Sequence, residues 1–229
     1  SEGSFYYAKC GQYTSHALPG AVIKVSADGR RREVYCTGFR TPNGMGILPD
    51  DRLTVSDNQG NWMPASKISI VKRGVFYGYV QTLQRGELWS PDGGRIDPNK
   101  VVPPESFDQP IIWMPQHFDN SSGGQLWVSD RRWRPLSGRL LHTSFRNGWL
   151  YYLMLQDVEE TSQAAIIRFP YNFITGIMRA QVNPQDGQVY VTGLDGWNGN
   201  GRKGLLDKGI QRVRYTGKPH RMITDCQVE

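Results

Sequence analysis

Two stretches, Leu53–Asp57 (LTVSD) and Leu126–Asp130 (LWVSD), share four of five residues, and Val189–Gly193 (VYVTG) is a weaker third copy. Each copy is followed by further short apolar runs that close on a stretch such as Val213–Tyr215. A repeated set of short strands separated by turns is typical of β-propeller blades. The copies begin 73 and then 63 residues apart, which is long for a blade and predicts inserted loops.

Strand signals continue over the whole chain. Ala21–Val25 and Glu33–Cys36 flank Asp28-Gly29, the pattern of a β-hairpin, and Val75–Val80 is another strand-like run. Apolar residues at helical spacing are hard to find. The 26 glycines and 14 prolines are spread along the sequence, as expected for many tight turns. The fold class predicted is all-β.

Residues 81–110 break this rhythm. They contain five prolines and few periodic apolar residues, which predicts a long loop insertion. The remaining runs account for about three to four blades within 1–229, a single domain that forms part of a ring. Because about four or more blades are needed to close a propeller, we expect the remaining blades to come from a longer chain or from a second subunit. The longer chain is the favoured alternative.

The charge of the chain, +6 at pH 7, does not predict a nucleic-acid-binding protein. The basic cluster Arg30–Arg32 follows a hairpin turn, acidic residues are interleaved with basic ones, and no helix collects the charge into a stripe. No run reaches the roughly 18 apolar residues of a transmembrane segment. We therefore expect no nucleic-acid partner and no transmembrane segment.

The three cysteines leave two alternatives open. Cys10 and Cys36 lie in strand-like runs that would be able to pair as sheet neighbours, and a disulfide between them would fit an oxidising compartment. The alternative is a pair of buried free thiols. The sequence lacks C-x-x-C-H, so we expect no covalently bound haem on this chain.

Polar and aromatic residues in loops are candidates for ligand contacts. His117 and Asp119 precede an Asn-Ser-Ser-Gly-Gly turn and would contact a metal or a sugar, or else belong to an ordinary Asx-rich turn. Trp62, Trp133 and Trp197 occupy Gly- and Pro-rich loops, where an indole would be able to stack on a sugar. The motifs of zinc sites, P-loops, nucleophile elbows and dinucleotide sites are absent from the sequence.

A series of short motifs resembles one family in order and content. It runs through Thr37–Gly44 (TGFRTPNG), Pro49–Trp62, Lys67–Val71 (KISIV) and Gly74–Gly78 (GVFYG), and continues to Pro219. The series is similar to that of the soluble quinoprotein glucose/sorbosone dehydrogenases, β-propeller proteins. Within that family the chain looks most like the large multidomain propeller proteins of planctomycete-type bacteria, which often carry cytochrome c domains.

The resemblance implies a six-bladed propeller that binds pyrroloquinoline quinone (PQQ) and calcium. It places Arg40, Thr41 and Arg146 at the cofactor, although the two arginines would equally be able to tie blades together through backbone carbonyls. It places Gly78 and Tyr79 at the calcium ion through their backbone. Thr41 replaces the usual asparagine, and Gly-Tyr-Val replaces Gly-Trp-Pro at 78–80. The family's catalytic histidine lies in an earlier blade, so no catalytic residue is assigned here.

Two functions follow as alternatives. The first is a periplasmic or extracellular sugar or alcohol dehydrogenase that passes electrons to a cytochrome. The second is a non-catalytic binding or scaffold propeller, in an extracellular assembly or in carbohydrate recognition. The missing histidine and the altered calcium motif favour the second, while the order of the motifs favours the first.

Overall fold

The structure, a computed structural model, describes residues 4–9, 20–60, 62–80, 88–89, 95–96, 104–194, 206 and 208–218. These residues form antiparallel sheets in chain order, as the sequence predicted. Blade 1 is the sheet β1 (Phe5–Lys9), β2 (Ala21–Val25) and β3 (Arg32–Thr37). Blade 2 has the strand order β4 (Gly44–Ile47), β5 (Leu53–Asp57), β6 (Ser66–Val71) and β9 (Ile112–Met114).

Blades 3 and 4 complete the series. Blade 3 is β10 (Ser122–Val128), β11 (Arg139–Ser144), β12 (Trp149–Val158) and β13 (Thr161–Asn172); blade 4 is β14 (Arg179–Val182), β15 (Val189–Leu194) and β16 (Lys208–Val213). Pro170 lies within β13, an edge strand, where its missing N–H interrupts no ladder. The first strands of blades 2, 3 and 4 lie side by side. This arrangement is that of a partial β-propeller, and the predicted fold class is confirmed.

Apolar side chains fill the space between consecutive blades. Val22 and Phe39 pack against Val55 and Tyr77 between blades 1 and 2. Ile68 packs with residues of blade 3, and the strands of blade 3 pack in turn on blade 4. Because each inner blade is covered on both faces, strands such as β5 and β6 are buried on both sides along their whole length. The chain is therefore held together by its three seams.

The three sequence copies do not occupy equivalent strands. Leu53–Asp57 is the second strand of blade 2 and Val189–Leu194 is the second strand of blade 4, whereas Leu126–Val128 belongs to the first strand of blade 3. Val75–Val80 was predicted as a strand and is not one: it makes a single parallel bridge from Phe76 to Thr37. Propeller strands share one apolar pattern, so the pattern does not specify the position within a blade.

The predicted insertion at 81–110 falls between the third and fourth strands of blade 2, which end at Val71 and begin at Ile112. Two short strands, β7 (Leu88–Trp89) and β8 (Arg95–Ile96), pair within it. Its end returns to blade 2, where the Asp108 N–H donates to the Phe76 carbonyl at 3.0 Å. Among the described residues, no helix is long and apolar enough to cross a membrane.

The strands that suggested a disulfide are not neighbours. β2 lies between β1 and β3, and two strand spacings amount to about 9.5 Å, beyond the roughly 7 Å that a disulfide spans between Cα atoms. Cys36 is a buried free thiol, and burial raises its pKa to about 12. Cys36 is thus a buried free thiol, as in the second of the two alternatives; Cys10 lies outside the described residues.

Candidate cofactor site at one end of the blades

The carboxylate of Asp57 organises the loop that carries Arg40 and Thr41. Asp57 ends β5, is fully buried, and accepts hydrogen bonds from the backbone N–H groups of Arg40 (2.9 Å), Thr41 (2.7 Å) and Asn58 (3.0 Å). Burial raises the pKa of this carboxyl, while the Lys67 ammonium and the amide donors act in the opposite direction. Asp57 therefore fixes the backbone from which the Arg40 side chain projects.

The Arg40 side chain lies along Gly60 and Tyr79. A Cβ atom added to Gly60 would come within 2.6 Å of Arg40 Cδ and 2.9 Å of Tyr79 Cε2. The Tyr79 N–H in turn donates to the Gly38 carbonyl at 2.9 Å. The close packing at position 60 leaves no space for a side chain, so a glycine is needed there for the Arg40 side chain to lie against the backbone.

Arg146 lies at the same end of the next blade. It follows β11, and its neighbour Phe145 donates its N–H to the Ser121 carbonyl at 2.9 Å. The adjacent Ser122 joins the two blades: its N–H donates to Asn58 Oδ1 at 3.2 Å, and its carbonyl accepts from Asn43 Nδ2 at 3.0 Å. The loop that carries Arg40 thus contacts Ser122, and the residue before Arg146 contacts the adjacent Ser121.

A buried lysine stands beside this site, and the sequence did not single it out. Lys67 is fully buried on β6, and its Nζ donates to the Tyr77 carbonyl and lies 3.4 Å from Met63 Sδ. Three aromatic rings surround the ammonium, those of Phe39 (5.9 Å), Phe107 (5.8 Å) and Trp113 (5.7 Å). Such cation–π contacts compensate part of the lost hydration. Burial lowers the pKa of Lys67 to about 8, opposed by the nearby Asp57 carboxylate.

The described side chains around Gly78 and Tyr79 supply no carboxylate cage for the calcium ion that the resemblance implies. Calcium prefers six to eight oxygen ligands, several of them carboxylates. Within the described part of the chain, no group of three or more histidine, cysteine, aspartate or glutamate side chains is placed to hold a metal. The carbonyl before Gly78 already accepts from the Lys67 ammonium, and Gly78 itself packs against Met63 and Phe107.

A buried polar network lies on the first two strands of blade 3 and on the segment that leads into them. Gln125 Nε2 donates to the Gly123 carbonyl (2.9 Å) and to His142 Nδ1 (3.1 Å), so His142 Nε2–H donates to Asp119 Oδ2 at 2.9 Å. Ser122 also donates to that oxygen, at 2.6 Å. Asp119 and His142 are fully buried. The network orients Ser122, the residue that the loop of Arg40 contacts through Asn43.

The other predicted contact residues lie in different environments. His117 is exposed on the turn that leads to β10, whereas Asp119 points inward to His142. Trp62 is 38% exposed and lies two residues after Gly60 in the chain. Trp133 is a correction: it is buried, and its indole N–H donates to the Gly187 carbonyl at 2.6 Å. Trp197 lies outside the described residues.

Arg179 is a third arginine at this end, and sequence reasoning missed it. It begins β14, and its guanidinium donates to the carbonyls of Met178 (2.8 Å) and Asn43 (2.7 Å). The second contact reaches across β10 from blade 4 to blade 2. The sequence around Arg179 does not indicate this contact, because the partner, Asn43, lies 136 positions away in the chain.

Comparison with known proteins bears on the fold. No family model matches the sequence, and no curated protein matches it. Solved structures do match. An oxidoreductase assigned as a glucose dehydrogenase from Thermus thermophilus superposes with a TM-score of 0.63 at 20% identity, over 93% of this chain and 62% of that one. The chain has the fold of the sugar dehydrogenases.

Two further solved structures agree with this assignment. The soluble aldose sugar dehydrogenase of Escherichia coli, in its apo form, gives a TM-score of 0.59 at 17% identity over 83% of this chain and 58% of its own. The PQQ-bound aldose sugar dehydrogenase of Streptomyces coelicolor gives 0.60 at 16% identity over 91% and 57%. The chain thus spans about three fifths of the length of the structures it matches.

Proposed function

We propose that this chain supplies part of an extracytoplasmic propeller that binds PQQ at the end of the blades where Arg40 and Arg146 lie, and that oxidises sugars. The observation that carries the proposal is that the two arginine-bearing loops contact neighbouring residues, Ser122 for the Arg40 loop and Ser121 for the Arg146 loop, in a fold shared with a PQQ-bound sugar dehydrogenase. When bound, PQQ would supply the acceptor for a hydride from the sugar.

The chain's own residues would bind and orient the cofactor. A guanidinium pairs with a carboxylate through two parallel hydrogen bonds, and PQQ is a carboxylate-bearing cofactor. Asp57 holds the Arg40 loop through the two backbone bonds already described, and the Asp119–His142 network holds Ser122. Trp62, exposed beside Gly60, is placed to pack against a sugar ring. Electrons would then pass to a cytochrome.

The ring would be completed by further blades, either on a longer polypeptide or on a second subunit. The described residues form four blades, and the chain spans 62% of the Thermus structure. A protein of that length would therefore have room for about two more blades. The base that takes the sugar proton would lie in one of them.

A specific observation favours the second function, a propeller that binds a ligand without redox chemistry. The Lys67 ammonium contacts the Tyr77 carbonyl, directly before the backbone at which the resemblance places calcium. If calcium is required to activate the quinone, this chain would bind carbohydrate or a partner protein but would not oxidise a sugar.

A titration separates the two functions. The purified intact polypeptide, as the cell makes it, is mixed with PQQ with and without calcium, and dye reduction is measured with a panel of sugars. Binding followed by sugar-dependent reduction supports the dehydrogenase. PQQ binding should weaken at least tenfold in Arg40→Gln and Arg146→Gln and stay unchanged in the exposed control Arg131→Gln. No PQQ binding and no dye reduction would overturn the proposal in favour of the non-catalytic propeller.

A further inference from the structure

The turn between β2 and β3 carries three consecutive arginines, Arg30, Arg31 and Arg32, and all three are exposed. We name this segment, residues 26–32, the arginine turn. Within the described part of the chain, none of its arginines forms an ion pair. β2 starts next to the Arg40 loop and is five residues long, so at a rise of about 3.3 Å per residue it places the turn about 16 Å from that loop. The arginine turn is therefore separate from the candidate cofactor site.

The acidic residues nearest to the arginines in sequence are already engaged. Asp28 accepts hydrogen bonds from the Ser26 hydroxyl and, at 3.1 Å, from the Arg30 N–H, and these bonds hold the pKa of its carboxyl below the ordinary value. Glu33 pairs with Arg73 at 2.5 Å. Neither carboxylate is paired with a guanidinium of the arginine turn, which therefore presents three uncompensated positive charges to the solvent.

The backbone of the arginine turn is fixed by its own hydrogen bonds. The Ser26 N–H donates to the Arg31 carbonyl at 2.9 Å, and the Arg31 N–H donates to the Ser26 hydroxyl at 3.0 Å. The Gly29 N–H donates to the Ser26 carbonyl at 2.8 Å, and Gly29 has a φ of 72°, which glycine adopts without strain. A turn that is ordered in advance loses little backbone freedom when a ligand binds, which favours binding.

The composition of the turn distinguishes between anionic partners. A membrane-surface anchor needs bulky apolar groups beside its cations, and a protein interface needs aromatic or apolar anchors at its centre. The tip of the turn is Ala27, Asp28 and Gly29, which supplies neither. An acidic polysaccharide is a hydrophilic polymer with carboxylates repeated along its length, so that several guanidinium–carboxylate contacts form on one chain. The turn therefore fits a polymer of carboxylates better than an apolar surface.

We propose that the arginine turn is a binding site for an acidic polysaccharide, held through its carboxylates by Arg30, Arg31 and Arg32. Each guanidinium offers a carboxylate two parallel hydrogen bonds, and the contacts between exposed charges weaken as salt is added. The site is independent of the proposed sugar oxidation, because it lies at the other end of β2 and uses none of the residues assigned to PQQ.

The test uses polygalacturonate, a polymer of uronate units, as the probe and the intact polypeptide as the protein. Affinity is measured by isothermal titration calorimetry at low and at physiological salt. The variants replace Arg30, Arg31 and Arg32 together, by glutamine or by lysine. We expect a loss of about tenfold or more in the glutamine variant, together with a weaker dependence of affinity on salt. The lysine variant should lose less, because it keeps the charge without the two-pronged geometry.

A charge-matched control removes three exposed arginines that lie apart on blades 3 and 4, through Arg131→Gln, Arg139→Gln and Arg214→Gln. It should change the affinity less than twofold, and thermal unfolding of every variant checks the fold. Neutral dextran and vesicles of phosphatidylcholine with phosphatidylglycerol serve as comparison ligands.

Three results would overturn the proposal: no binding of polygalacturonate to the wild type, equal losses in the two triple glutamine variants, or tighter binding to the vesicles than to polygalacturonate. Binding of polygalacturonate through the arginine turn by a protein that binds no PQQ would retain this site and overturn the proposed dehydrogenase. Binding of PQQ by a protein that does not bind polygalacturonate would have the opposite meaning.

Discussion

Replacement of Asp57 by asparagine tests the organisation of the Arg40 loop. The buried carboxylate accepts one N–H at Oδ2 and two at Oδ1. In Asp57→Asn one of these acceptors becomes an NH₂ group. With the carbonyl oxygen kept towards Thr41, the new NH₂ would face the Arg40 N–H, so one charge-assisted bond is lost and two donors oppose each other. The Lys67 ammonium also loses its nearby countercharge.

The expected cost is large. A hydrogen bond to a charged group contributes about 1.5–3 kcal/mol, and breaking a buried charge pair costs about 3–5 kcal/mol. Because both effects belong to one residue, we expect a total loss of about 3–5 kcal/mol in the free energy of unfolding. For a chain of this size, that corresponds to a fall of roughly 6–20 °C in Tm.

Thermal and urea unfolding, followed by circular dichroism, measure the loss. The matched control is Asp51→Asn, an exposed aspartate with φ of 66°, a conformation that asparagine also tolerates. It should change stability by less than about 0.5 kcal/mol. If Asp57→Asn unfolds at the wild-type midpoint, or loses no more than the control, the carboxylate does not organise the loop.

Three further predictions address the buried groups and the seams. In the folded protein the pKa of Lys67 is about 8, below its ordinary 10.5, so the unfolded chain binds more protons between these two pH values and the free energy of unfolding should rise with pH there. Relative to Lys67→Met, wild type should gain up to about 3 kcal/mol between pH 8 and 10.5. A difference between the two proteins in urea unfolding that does not change with pH would contradict this. In Gly44→Ala the new Cβ would lie 1.6 Å from the Gly123 carbonyl oxygen across the seam between blades 2 and 3, so the Tm should fall by at least about 6 °C, corresponding to roughly 3 kcal/mol. An unchanged Tm would show that the two blades move apart without cost and would contradict this prediction. Cys36 should resist iodoacetamide in the native protein at pH 8, because its thiol is buried and its pKa is raised to about 12; peptide mapping that finds it alkylated without unfolding would refute this.

The fold class was predictable because strand length, alternation and turn residues are local properties. The hairpin at Asp28-Gly29 forms where predicted, with Gly29 at a φ of 72°. The position of each strand within its blade was not predictable from the same signals. Leu126–Val128 resembles Leu53–Val55 in sequence yet forms a first strand rather than a second, because both are covered on two faces and need the same apolar residues.

Residues of the candidate site were predictable from the sequence only where they belong to a short, continuous motif. The hydrogen bonds from the Arg40 and Thr41 backbone to Asp57 join two motifs that the sequence already set side by side. Lys67, in contrast, is a charged residue between Ser66 and Ile68 on a strand, a pattern that does not reveal burial; only the packing of Phe107 and Trp113 shows that its ammonium is enclosed. The inward orientation of Asp119 depends likewise on His142, a residue of the next strand pair. Contacts between residues far apart in the chain cannot be inferred from the sequence next to either residue.

The most direct test of the central claim is an experimental structure of the intact polypeptide with PQQ added. The account predicts further blades that complete the ring, with PQQ density at the end of the blades beside Arg40 and Arg146. It also predicts no metal ion at Gly78 and Tyr79, where Lys67 donates to the neighbouring Tyr77 carbonyl. PQQ bound elsewhere, or a fully loaded protein with neither arginine within hydrogen-bonding distance of the cofactor, would contradict the account.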